Sequence, residues 1–356
     1  MKIKEFQQVL QKKNCNFALF YNSDSTKLNP NMFYFSGYNG LGALILPKYK
    51  LPFLIVPNME YERAEKSRIK KVYSMDKKKF FESIFKIIRK NKLKAKNIAI
   101  DKNNFTLNSY KHFRSYFRKL KVRDISLDCL GLREIKTEEE IKLIKKSCDY
   151  ADKILQKLIK NFKDFKTEAH AAAFLEFEAM KLGLDLAFKP IVASASNGST
   201  PHHEPSSNKI KKGFCVIDFG VKYKGYCSDI TRTIYVGKPS KKEKEIYNML
   251  LAIQKNTISQ TRINKKCSDL YDFVCNRLGK YKQNFLHGLG HGIGVEIHEL
   301  PNLTSNSEDR ITNNMIFTIE PGLYFPKKFG IRIEDTVLFK DKPIILTQTS
   351  KDLLIV

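Results

Sequence analysis

Cys215-Val-Ile-Asp218-Phe-Gly-Val-Lys-Tyr223-Lys-Gly225-Tyr-Cys227-Ser-Asp229-Ile-Thr-Arg-Thr233 reads as an apolar strand, a turn and a second strand, with a carboxylate placed inside each run. Folding this hairpin midway between Tyr223 and Lys224 would set Asp218 opposite Asp229, and cross-strand partners share one sheet face. Thr318-Ile-Glu320-Pro-Gly and Gly330-Ile-Arg-Ile-Glu334-Asp-Thr336 repeat the device about a turn near Lys327–Lys328, so Glu320 is expected opposite Glu334. Four carboxylates gathered in an apolar interior repel one another and lose hydration. Cations must compensate, and a pair of divalent metal ions supplies that charge.

Five of the seven histidines fall in two segments, Pro201-His202-His203-Glu204-Pro205 and His287-Gly-Leu-Gly-His291-Gly-Ile-Gly-Val-Glu-Ile-His298-Glu299. The glycines of the second segment do not make a dinucleotide fingerprint, because GxGxxG fails in every frame and no strand–turn–helix context surrounds it. Glycine alternating with His suits a backbone that packs close to a metal while presenting imidazoles. One Asp in a strand, or one His, is ordinarily structural. Asp218, Asp229, His291, Glu320 and Glu334 together read as a metal centre.

Outward from these ligands the chain shows a repeated plan. Thr137-Glu-Glu-Glu140 is a capping box that opens a long helix, apolar at Ile141, Ile144, Cys148, Ala151, Ile154, Leu155 and Leu158. A second helix is expected from about Thr167 to Leu182, then strands at Ile191–Ala195, Cys215–Phe219 and Ile230–Val236. Ser240-Lys-Lys-Glu243 is another capping box, opening a helix to about Arg262, with a further helix at Cys267–Tyr281. Strands at Gly294–Ile297, Met315–Glu320 and Ile331–Phe339 follow. Two helices and a small antiparallel sheet, twice over, predict a pseudo-symmetric sandwich of two halves.

Before it, strands are expected at Asn16–Tyr21, Met32–Ser36, Gly42–Pro47, Pro52–Val56 and Asn97–Asp101. Helices are expected at Glu62–Lys70, Lys77–Lys90 and Asn108–Leu120. This is an α/β domain without the residue types of an active site, its single His being His112 on a basic helix.

Composition bounds the function classes. At 356 residues two domains are expected, and 42% hydrophobic content with 25 Phe and 16 Tyr argues against disorder. The longest apolar runs fall far short of a membrane span, and the first residues lack a signal peptide's apolar stretch. Seven Cys without a CxxC pair argue for reduced thiols and a cytoplasmic setting. Of the net charge of +27, residues 1–130 carry +18. The lysines are scattered and no aromatic-interleaved basic motif appears, so solvated helix faces are expected and no nucleic-acid partner.

The motifs D-x10-D, HGxGHxxGxxxHE, xEPGxY and xRxED resemble those of the pita-bread metallopeptidases, in the proline-specific branch of Xaa-Pro aminopeptidases and prolidases. The resemblance is strong over roughly residues 130–356, while residues 1–128 resemble the creatinase-type N-terminal domain in size and alternation only. It implies an α+β chain: a creatinase-like N-terminal α/β domain at 1–128, then a pseudo-twofold pita-bread catalytic domain at 129–356. Carried over by position, Asp218 would chelate one metal, His291 and Glu320 the other, and Asp229 and Glu334 would bridge both. Two close metals sharing a water lower its pKa and make hydroxide available at neutral pH. Glu320 would be general base and then acid, His298 would steady the oxyanion, and His202 would line the substrate pocket. His287 falls where the family contacts proline, and Arg332 and Tyr324 would orient Glu334 and the pocket. Manganese is the expected ion, with cobalt or zinc as alternatives, and a homodimer is the expected assembly. Cys215 and Cys227 flank ligand strands and read as packing residues; His203 and His170 read as structural or surface.

Methionine aminopeptidases share the five ligands but usually lack a comparable N-terminal domain. Dipeptide-only prolidases tend to carry an Arg shortly after the third His, and here His298-Glu-Leu-Pro-Asn302 has none before Arg310. That departure favours an aminopeptidase that releases the first residue from longer peptides with proline second; the alternative is a prolidase restricted to Xaa-Pro dipeptides. A non-catalytic pita-bread binding protein and a creatinase-type amidinohydrolase are disfavoured, since such relatives typically lose or replace metal ligands and all five are present here.

Overall fold

The computed structural model describes residues 2–24, 28–75, 79–94 and 96–356. The chain forms two compact units, Met1–Leu132 and Arg133–Val356. In the first, a six-stranded sheet runs in the order Val72–Met75, Phe53–Pro57, Gly42–Pro47, Phe17–Asn22, Asn97–Ile100, Lys121–Asp124. The three central strands pair antiparallel and the outer joins are parallel. The central strands are buried along their whole length, which is why they read as continuous apolar runs rather than alternating ones. Phe81, Ile84 and Ile88 of the helix Phe80–Lys90, Phe113 of the helix Leu107–Tyr116 and Phe117 just past its end share a core with Phe17, Leu19, Ile45, Ile55 and Ile98.

Several expected boundaries shift here. Met32–Ser36 is not a strand but part of the helix Pro30–Ser36. Asn29 accepts hydrogen bonds from the Asn31 and Met32 amides, Pro30 occupies the first turn, and Gly37 closes the helix at φ 69°. These end signals outweigh the apolar run between them. The helix expected at Glu62–Lys70 shortens to Tyr61–Glu65, and that expected at Asn108–Leu120 ends at Tyr116, releasing Lys121–Asp124 as an edge strand. Residues 77 and 78 of the helix expected at Lys77–Lys90 lie outside the described residues. Helices Ile3–Lys12 and Ser126–Glu134 were not anticipated.

The second unit follows the repeated plan. Both capping boxes are formed, at Thr137/Glu140 and Ser240/Glu243. Helices Glu138–Lys160 and Glu168–Lys181 cover the three-stranded sheet Ile230–Val236, Gly213–Phe219, Ile191–Ser194. Helices Lys241–Ser259 and Cys267–Leu278 share a core with the five-stranded sheet Glu299–Leu303, Gly290–Gly292, Met315–Ile319, Asp335–Lys340, Lys342–Ile345. This is the pita-bread architecture that the sequence predicts.

The two carboxylate hairpins differ in their agreement. In the second, Ile319 pairs with Asp335 and Gly322 with Arg332, a register that sets Glu320 across from Glu334 as expected. In the first, Asp218 pairs with Thr231, not Asp229. The reason is the turn: Lys224 and Gly225 both take positive φ, 48° and 83°, in a two-residue connection centred one residue later than Tyr223–Lys224. The offset is two residues, so Asp229 is diagonal to Asp218 rather than opposite it.

The run Ile331–Phe339 divides into Phe329–Arg332 and Asp335–Lys340. In the gap the Glu334 amide donates to the Thr231 carbonyl at 3.1 Å, joining the two hairpins. Gly294–Ile297 is an irregular connection, with strands on either side at Gly290–Gly292 and Glu299–Leu303. All seven cysteines are buried and none of them forms a disulfide. Among the described residues no helix is long and apolar enough to cross a membrane.

Candidate metal centre

The hairpin residues and the glycine-rich segment meet at a cleft of about 730 Å³ within the second unit, lined by Asp218, Asp229, His291, Glu320 and Glu334. One ligand atom each from Asp229, His291 and Glu334 lies within 4.8 Å of the others. His291 Nε2 is 3.4 Å from Glu320 Oε1 and 3.6 Å from Asp229 Oδ2. His291 Nδ1 lies 3.1 Å from the Gly292 carbonyl, which can only accept, so Nδ1 carries the proton and Nε2 turns its lone pair to the carboxylates.

The glycines around His291 serve the neighbouring strands. A Cβ on Gly290 would stand 2.0 Å from the Thr318 carbonyl oxygen, and one on Gly292 would stand 2.0 Å from that of Leu300. The alternation of glycine and His therefore reflects close backbone approach inside the sheet.

Three carboxylate oxygens here, Asp218 Oδ1, Asp229 Oδ1 and Glu334 Oε1, are buried without a hydrogen-bond partner. Burial pushes the pKa of Asp229 and Glu334 well above the usual carboxylate range, and the neighbouring carboxylates push them further. Burial likewise raises Glu320, although His287 and Arg332 pull it down. Burial lowers the pKa of His287, His291 and His298, keeping the imidazoles neutral. Orphaned carboxyl oxygens facing a neutral imidazole lone pair make an all-oxygen-and-nitrogen donor set that fits divalent cations.

Hydrogen bonds aim the ligands. Thr231 Oγ1 donates to Glu334 Oε2 at 2.6 Å, and Thr318 Oγ1 donates to Glu320 Oε1 at 3.1 Å. Neither threonine was singled out from the sequence, although Thr231 follows Asp229 by two residues and Thr318 precedes Glu320 by two, the spacing that shares a strand face. Arg332 is fully buried and donates to Asp218 Oδ2, to Thr231 Oγ1 at 3.1 Å and to the Tyr324 hydroxyl at 2.9 Å. It therefore orients Asp218 directly and reaches Glu334 through Thr231. His287 Nδ1 is 2.7 Å from the Gly288 carbonyl and its Nε2 is 2.9 Å from the Tyr324 hydroxyl. Tyr324 thus accepts from Arg332 and donates to His287, and its burial raises its pKa to about 12.

His298 stacks edge-on against His291, with ring centroids 4.3 Å apart, and His202 is exposed on the cleft wall. His203 has a structural partner instead, its Nε2 lying 2.9 Å from the buried carboxylate of Glu168. His170 lies edge-on to Phe165. Glu299, next to His298, is buried against Lys136 at 3.0 Å and Arg133 at 3.5 Å and anchors the strand. Asn302 is exposed and its amide donates to Asp309 at 2.8 Å.

The sequence pattern of metallopeptidase family M24 matches residues 142–341, and that of the creatinase/prolidase N-terminal domain matches residues 2–135. The chain is 36% identical to the Xaa-Pro dipeptidase of Pyrococcus furiosus over 332 residues, 91% of this chain and 92% of that one. Among solved structures, the prolidase from Pyrococcus horikoshii OT3 superposes with a TM-score of 0.89 at 32% identity, covering 99% of both chains. The X-Pro aminopeptidase from Thermotoga maritima MSB8 superposes with a TM-score of 0.89 at 28% identity, covering 96% of this chain and 98% of that one.

Proposed function

The chain belongs to metallopeptidase family M24, and on that premise we propose that it is an Xaa-Pro dipeptidase. The observation that carries the metal-dependent chemistry is the set of orphaned oxygens on Asp218, Asp229 and Glu334 around the lone pair of His291. The relatives favour the dipeptidase reading over the aminopeptidase expected from Asn302, because two Xaa-Pro dipeptidases match at 36% and 34% identity. The Thermotoga maritima neighbour keeps the aminopeptidase as a second reading.

Asp218, Asp229, His291, Glu320 and Glu334 would hold two divalent ions, and manganese suits their oxygen-rich donor set. Such ions, when bound, polarise the scissile carbonyl and make water a better nucleophile. The chain's own groups do the rest. Glu320, on the cleft wall with a pKa raised by burial, would accept a proton from the attacking water and return it to the proline nitrogen as the C–N bond breaks. His298 and His202, facing the same space, would donate to the oxygen that gains charge at the attacked carbon. Thr231, Thr318 and Arg332 hold the carboxylates in register, so their orientation is set before substrate arrives.

Hydrolysis of a matched Xaa-Pro dipeptide and Xaa-Pro-Yaa tripeptide, by metal-loaded and by chelator-treated protein, tests this. Metal-dependent cleavage of the dipeptide with little of the tripeptide is expected. Preferential tripeptide cleavage would establish the aminopeptidase, and cleavage of neither would remove both readings.

A further inference from the structure

A dipeptide substrate carries a carboxylate immediately after its scissile bond, and an anion leaving water for a cleft needs a cation to meet it. Among the residues lining the cleft, the side chains with a permanent positive charge are Arg332 and Lys189. Arg332 is committed to Asp218, Thr231 and Tyr324. Lys189 is exposed and, among the described residues, has no ion pair or side-chain hydrogen bond, even though Glu176 and Glu204 line the same walls.

Its placement is specific. Leu186 pairs with Val221 in one three-stranded sheet and Ile191 pairs with Asp218 in another. Lys189 lies on the short connection between those two strands, on the wall of the cleft. The connection is held at both ends, by the Ala187 amide on the Gly220 carbonyl at 2.9 Å and by buried Pro190. Ile191 lies beside the candidate ligand Asp218, and two residues of chain span at most about 7 Å, the length of an extended dipeptide.

We propose that Lys189 binds the C-terminal carboxylate of the substrate and so sets the preference for dipeptides. This rests on the dipeptidase reading. The charge is a single flexible ammonium, which fits a carboxylate as a point charge rather than through a two-pronged clamp.

The test uses metal-loaded full-length protein with Ala-Pro and Ala-Pro C-terminal amide. The wild type is expected to prefer the free acid. Lys189→Met should lower the acid-over-amide ratio of kcat/KM by about 10- to 100-fold, mainly through KM, because hydrogen bonds to charged groups are worth that much. Lys189→Arg should restore most of it. Equal use of acid and amide by the wild type, or an equal loss on both substrates in Lys189→Met, overturns the assignment and leaves proline-specific hydrolysis standing. Hydrolysis of neither substrate by the wild type overturns the dipeptidase reading itself.

Discussion

His291 Nε2 and Glu320 Oε1 lie 3.4 Å apart, and the proton that could have joined them is held on the far nitrogen by the Gly292 carbonyl. With Glu320 ionised, two lone-pair donors face each other across that gap. Only a cation or an added proton can stabilise the arrangement, so the metal-free site should store protons that metal displaces. Titrating divalent manganese into chelator-treated, weakly buffered protein should therefore release protons. Calorimetry in two buffers of different ionisation enthalpy would give the count, and a value of zero would contradict the raised pKa of Asp229, Glu334 and Glu320.

Glu320→Gln keeps the shape and the hydrogen bond to Thr318 but removes the base. We expect kcat to fall about 10²- to 10⁴-fold, the range for general acid–base catalysis, with the fold intact by circular dichroism. Activity within a few-fold of wild type would assign the base elsewhere.

Stability of the metal-free protein should depend on pH in a defined direction. Asp229 and Glu334 have folded-state pKa values above their unfolded ones, so the folded state binds more protons and loses stability as pH rises from about 4 through the raised values. The buried histidines, with lowered values, act in the opposite sense below about pH 6.5. Comparing chelator-treated wild type with Glu334→Gln cancels the histidine contribution. The variant's advantage in Tm should grow as pH rises above about 4 and vanish when metal is added. An advantage that shrinks with rising pH would reverse the sign of the argument.

Thr231→Val removes the donor to Glu334 Oε2 and the acceptor for Arg332 while keeping the volume. Loss of such supporting partners typically weakens metal binding about 10- to 100-fold. Competition against a chelator of known affinity would measure it. Unchanged affinity would show that the backbone alone positions Glu334.

Gly290→Ala forces a Cβ to 2.0 Å from the Thr318 carbonyl, backbone against backbone. A cost of about 3 kcal/mol is expected, at the upper end for overpacking, which lowers Tm by roughly 6–12 °C for a unit of this size. Calorimetry on the metal-free protein separates this from lost metal binding.

Much of the catalytic unit was legible because its signals are local. Both capping boxes sit where Thr137 and Ser240 place them, and the apolar runs around Asp218, Glu320 and Glu334 are strands or strand ends. The helix Pro30–Ser36 reads as a strand because four apolar residues in a row, Met32 to Phe35, satisfy a strand template as well as a buried helix. The Asp218–Asp229 register failed by two residues because it hangs on the φ of Lys224 and Gly225, which side-chain pattern does not encode.

By itself the sequence determined which carboxylates and imidazoles lie in apolar surroundings, since charged residues inside apolar runs are rare and strands alternate with a fixed period. It also determined the doubled order of helices and strands. Only the tertiary structure decided that Arg332 grips Asp218, that Thr231 carries the contact to Glu334, and that Tyr324 links Arg332 to His287. Those are contacts between segments some hundred residues apart, or between side chains whose direction depends on which strand they face. The same holds for Lys189: nothing in Phe188-Lys189-Pro190 marks it, and only the folded connection between strands Asp185–Leu186 and Ile191–Ser194 brings it to the cleft.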